Sequence, residues 1–80
     1  MPRFFLHLRD GIDEVLDPEG LEMPREAVIR AALLAARDCM AADVKRGLLD
    51  LHHRIDVHAA DGEIVHTLPF ADALEMVPQR

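Results

Sequence analysis

The sequence predicts an α+β domain of order ββαββ. Two β-hairpins form one antiparallel sheet, and one long α-helix packs on one face of it. Three observations predict this. Asp10-Gly11 and Asp61-Gly62 each lie between short apolar alternations, the patterning of a hairpin. Residues 24–46 contain no Gly, no Pro after Pro24 and many Ala, the composition of a helix. The chain has 80 residues and is 50% hydrophobic, enough for one thin core and a single compact domain, 1–80.

The first hairpin is placed at residues 2–17. Residues 2–9 alternate weakly and carry Phe4, Phe5, Leu6 and Leu8; Asp10-Gly11 turns the chain, and residues 12–17 return. Asp17-Pro18-Glu19-Gly20 makes a second turn, and Leu21-Glu22-Met23 is a short extended lead-in. Pro24 suits the first helical position, and Glu26 sits where the helix dipole favours an acid. Val28, Ile29, Ala32, Leu33, Ala36, Cys39 and Met40 share one broad face. Lys45 and Arg46 close the last turn before Gly47, a natural helix end.

Leu48 to His53 connects to the second hairpin, residues 54–68. Ile55, Val57 and Ala59 alternate with Arg54, Asp56 and His58. A two-residue turn at Asp61-Gly62 sets Ala59 against Ile64, Val57 against His66 and Ile55 against Leu68. Pro69 ends the strand. Phe70, Ala73, Leu74 and Val77 have helical spacing, so residues 70–76 read as a short helical turn over the core.

Composition narrows the function. There is no Ser, Asn, Trp or Tyr, and the only Lys is Lys45. That excludes a Ser-based triad and a phosphate loop of the GKS/GKT type. Fifteen acids against nine bases give a net charge of −6, and the bases are scattered. Such a chain repels a phosphate backbone, so no nucleic-acid partner is expected. No apolar run is long enough to span a membrane, and residues 4–8 are too short and too soon followed by Arg9-Asp10 for a secretion signal. One cysteine allows no internal disulfide, which points to the cytoplasm.

Among residue types that carry chemistry, the histidines come first. His52, His53, His58 and His66 are candidate metal ligands, but the hairpin register sends His58 and His66 to opposite faces, and no HExxH or CxxC spacing occurs. Their bland reading is packing or solvated imidazoles. Cys39, mid-helix on the apolar face, reads as a buried, inert thiol. No catalytic residue and no cofactor is expected. Six acids lie between Asp10 and Glu22, without the spacing of a calcium loop. They read as an acidic hairpin edge or as a docking surface for a basic partner. A single helix covers only one face of a sheet, so the other face should expose Phe5, Leu16 and Val65. Phe5 and Leu16, with Asp13 and Glu14 of the acidic hairpin and Leu34 on the helix's charged side, form the candidate interaction surface. A second copy is the commonest way to cover such a surface.

Pro2-Arg3-Phe4-Phe5-Leu6-His7-Leu8-Arg9-Asp10-Gly11, then Asp17-Pro18-Glu19-Gly20-Leu21-Glu22 and the Ala-rich helix, resemble a family of small bacterial proteins. Its members are mainly alphaproteobacterial and open with a PRFFFHLRDG-like motif. Asp61-Gly62-Glu63 and Leu68-Pro69-Phe70 resemble its second half. The family is a domain of unknown function, so the resemblance implies a compact fold and no activity. Glu26-Ala27 opening the helix also resembles HicB-like antitoxins, which implies a small basic toxin as partner. Their Pro-Gly-Cys turn is missing here. The leading expectation is a noncatalytic interaction or regulatory module, homodimeric. The alternatives are an antitoxin and a metal-binding protein using histidines.

Overall fold

The structure is a computed structural model. It describes every residue except Ile12 and Arg80, and of Asp13 the backbone only. It is α+β, with one helix against an antiparallel sheet. The strands are β1 (Arg3–Asp10), β2 (Asp13–Val15), β3 (Leu21–Glu22), β4 (Arg54–Ala59) and β5 (Ile64–Pro69), and α1 is Arg25–Lys45. The sheet order is β2-β1-β4-β5, with β3 also paired to β1. The plain ββαββ order is therefore corrected to five strands. Leu21-Glu22, read as a lead-in, pairs with the start of β1 through Arg3↔Glu22 and Phe4↔Leu21.

The centre of the sheet joins β1 to β4, with Phe4↔Ala59, Leu6↔Val57 and Leu8↔Ile55 turned to the helix. The core is Phe4, Val28, Ala32, Ala36, Met40, Ile55, Val57, Phe70 and Ala73. Val28, Ala32, Ala36 and Met40 follow at i, i+4, so the helix lays one narrow line of mostly small side chains along the sheet. Ile29, expected on that face, is 52% exposed because it lies to the side of this line. The helix ends in a Schellman motif: the Leu48 amide donates to Asp43 O (3.0 Å) and the Gly47 amide to Val44 O (2.9 Å), with Gly47 at φ +81°.

Both turns differ from the simplest reading. Asp10 pairs with Asp13, so Asp10 ends β1 and the turn begins at Gly11, φ +52°. Ile12, read as the first residue of the returning strand, lies outside the described residues. In the second hairpin, the Ala59 amide donates to Glu63 O (2.8 Å) and the Gly62 amide to Ala59 O (2.9 Å). Ala59 thus faces Glu63 rather than Ile64, and the loop holds Ala60, Asp61 and Gly62. A bulge then takes up one extra residue, since His58↔Ile64 is followed by Val57↔His66. That restores the expected pairs Val57↔His66 and Ile55↔Leu68.

After β5 the chain makes a 3-10 helix over Phe70–Ala73 and returns to extended geometry at Leu74. The turn is shorter than the spacing to Val77 suggested: Phe70 and Ala73 are buried and Leu74 packs half-buried against the core, while Met76 and Val77 are exposed. The Phe70 amide donates to His53 O (2.9 Å), and Arg37 Nε donates to Ala73 O (2.9 Å). These bonds fix the turn to the residue before β4 and to the helix.

Candidate functional site

The sheet face away from the helix carries Phe5, His7 and Arg9 from β1, Arg54, Asp56 and His58 from β4, and Thr67 from β5. Its centre is not apolar. Asp56 is only 4% exposed, and its carboxylate accepts from Arg9 Nε (3.0 Å), Arg54 Nε (3.3 Å) and Thr67 Oγ1 (3.1 Å). Three donors around one carboxylate compensate its burial. Glu14 pairs with the other side of Arg9. The expected apolar patch is corrected accordingly. Val65 packs against the core instead, placed there by the bulge. Phe5 is half-buried and Leu16 exposed.

Between β2 and β3 the chain leaves β1, and Asp17 fills the gap. Its carboxylate accepts from the amides of Leu6 (3.3 Å), Glu19 (3.3 Å) and Gly20 (3.1 Å), and its own amide donates to His7 Nδ1 (3.0 Å). An unpaired strand amide thus finds a side-chain acceptor. Burial pushes the Asp17 carboxyl up, but the three amides and the charge of His7 outweigh it, and the net direction is down. The His7 imidazole is pushed below its ordinary value, first by burial and then by His58 and Arg9. The same hydrogen bond requires a bare lone pair on His7 Nδ1. Gly20 closes this loop at φ +71°, where a Cβ would stand 2.7 Å from Phe4 O and 2.9 Å from the Phe5 ring.

Of the four candidate metal-ligating histidines, only His53 belongs to a group of three potential metal donors among the described residues. Its Nε2 lies 3.0 Å from Asp10 Oδ2 and 3.6 Å from Asp50 Oδ2. The ring stands edge-on to Phe70, with centroids 5.3 Å apart. Asp50 Oδ1 accepts from the His52 amide (2.9 Å) and lies 2.9 Å from His52 Nδ1, which leaves Oδ2 toward His53. The amide bond from His52 comes first in holding the Asp50 carboxyl below its usual range. His52 itself projects into solvent. His58 and His66 lie on opposite sheet faces, each with a buried Nε2 that has no hydrogen-bond partner. A cleft of about 150 Å³ beside Asp10 and His53 is walled by Leu8, Glu14 and Val15.

The family model of a domain of unknown function, DUF6894, matches residues 3–71. The chain belongs to this family. No curated protein and no solved structure matches it. Among the described residues, no helix is long and apolar enough to cross a membrane.

The candidate interaction residues do not share one surface. Phe5, Leu16 and Glu14 lie on the sheet side, whereas Leu34 is exposed on the side of the helix turned from the sheet. The side chain of Asp13 lies outside the described residues. Cys39 is half-buried on the helix face, and burial, then Asp43 and Asp38, pushes its thiol up, away from nucleophilic character. Asp10 and Asp50 were missed as partners of His53. Asp10 lies far from His53 in sequence and meets it only through the β1–β4 register, while Asp50, three residues before His53, makes no metal-ligand motif by itself.

Proposed function

We propose that this domain is a small noncatalytic interaction module that works as a homodimer, with a second copy covering the end of the helix. One observation carries this reading. The chain exposes 5739 Å², whereas a compact monomer of 9.0 kDa exposes about 4,900 Å². The excess is close to the share that one partner contributes to a standard interface, roughly 800 Å².

The best place to bury it is the helix C-terminus. Val44 (57% exposed), Leu48 (54%) and Leu49 (38%) surround a hollow of about 230 Å³ floored at Gly47. Projecting leucines and a hollow on the same patch suit a two-fold contact, in which one surface must fit itself. Lys45 and Arg46 flank the patch and supply a polar rim. A basic toxin would instead need free carboxylates on the first hairpin. There Glu14 holds Arg9, Glu22 holds Arg3 (3.1 Å), and Asp17 is tied to backbone amides. This favours a second copy over the antitoxin reading.

Light scattering on the eluting chain, from micromolar to millimolar, tests it. The expected mass is twice 9.0 kDa, falling to the monomer in Leu48→Glu and unchanged in Leu34→Glu. A wild-type monomer at millimolar concentration overturns the reading.

A further inference from the structure

Three chain segments meet at His53: the end of β1 brings Asp10, the loop after the helix brings Asp50, and the residue before β4 brings His53 itself. One donor atom from each lies within 4.8 Å of the other two. The two separations from His53 Nε2, 3.0 and 3.6 Å, bracket the roughly 3.3 Å between donors on a tetrahedral cation with bonds of about 2.0–2.1 Å. A proton on Nε2 serves one carboxylate at a time, whereas a divalent cation accepts from all three donors together.

The donors are also pre-oriented. Phe70 holds the His53 ring from its edge, and its amide bond to His53 O fixes the backbone beneath. The His52 amide holds Oδ1 of Asp50 and so aims Oδ2. The hydrogen bond on the Asp50 carboxylate is the kind of supporting contact that orients metal ligands in general. One imidazole and two carboxylates suit the borderline first-row cations, Zn²⁺ foremost.

We propose that Asp10, Asp50 and His53 bind one first-row divalent cation of the Zn²⁺ class. The cleft walled by Leu8, Glu14 and Val15 adjoins Asp10 and His53 and gives a small ligand access to that ion. Three protein ligands with an open fourth position form a site that exchanges a small ligand.

The test is calorimetric titration of the full chain, free of any polyhistidine tag, with Zn²⁺. Co²⁺ is added in parallel, and its visible absorption reports nitrogen and oxygen ligation. One ion per chain is expected. Asp10→Asn and Asp50→Asn should each weaken Zn²⁺ binding by about tenfold or more. His52→Ala should change it by less than about threefold. Circular dichroism establishes that each variant is folded, and Zn²⁺ should raise the melting temperature of the wild type but not of Asp10→Asn. Absence of saturable Zn²⁺ binding overturns the proposal. So does binding that Asp10→Asn leaves intact, or that His52→Ala weakens as much as Asp10→Asn does.

Discussion

The two hairpins start from the same dipeptide and use it differently. In the first, Asp10 pairs with Asp13 and stays in the strand, so its carboxylate is free to reach His53 Nε2. In the second, Asp61 lies in the loop, and its carboxylate accepts from the Glu63 amide (2.9 Å). An Asp-Gly pair announces a turn but does not say which of its residues the turn contains. Register decides whether the acid is spent on the backbone or left for another partner.

Substitutions can break this contrast, and the glycines should show the largest effect. Gly20→Ala meets both a positive φ and the Phe4 carbonyl, and should cost about 3 kcal/mol in denaturant unfolding. Gly62→Ala has the positive φ but nothing within 4 Å, and should cost about 1 kcal/mol. Equal costs would mean that the loop between β2 and β3 is not seated on β1.

The acids come next. Asp17→Ala strands the Leu6 amide and frees the turn, and should cost about 2 kcal/mol. Asp61→Ala loses one exposed loop bond and should cost about 0.5 kcal/mol. Asp10→Asn, with its acid outside the turn, should stay within about 0.5 kcal/mol of the wild type without added metal.

The smallest effect is a pH dependence confined to the first hairpin. The His7 imidazole is held below its ordinary value of 6.5, so the folded chain binds this proton less readily than the unfolded chain. Its contribution to stability is complete above pH 6.5 and declines as pH falls below it. Protonation must occur at Nδ1, which breaks the bond from the Asp17 amide. Unfolding curves of His7→Gln and the wild type should therefore converge from pH 7 toward pH 5. The Asp17 contribution follows at lower pH, complete above 3.8 and declining below it. A difference between the two proteins that is constant with pH would remove His7 from this account.

Much of the fold was legible in local pattern. The helix follows from an Ala-rich run between Pro24 and Gly47, and the alternation at Ile55 and Val57 matches the buried side of β4. What was not legible depended on distant partners. Leu21 and Glu22 are too few to read as a strand until β1 lies beside them. The bulge at Val65 follows from a third loop residue that Asp61-Gly62 alone does not announce. Phe5 and Leu16 were placed on the outer face, but its polar centre was not foreseen. Asp56 looked like an ordinary outward residue of an alternating strand, and only β1 and β5 bring Arg9 and Thr67 to it. The candidate metal group escaped for the same reason: Asp50 lies three residues before His53, but Asp10 joins them only when β1 lies beside β4.

The central pairing of β1 with β4 also sets an order of assembly. Both hairpins and the helix can begin from neighbours in sequence. Phe4↔Ala59 and Leu8↔Ile55, in contrast, close a loop of roughly fifty residues and bury the core as they do so. Folding should therefore wait on this one encounter. Substitutions in the β1–β4 seam, such as Leu6→Ala or Val57→Ala, should slow refolding, whereas changes in either turn should chiefly speed unfolding.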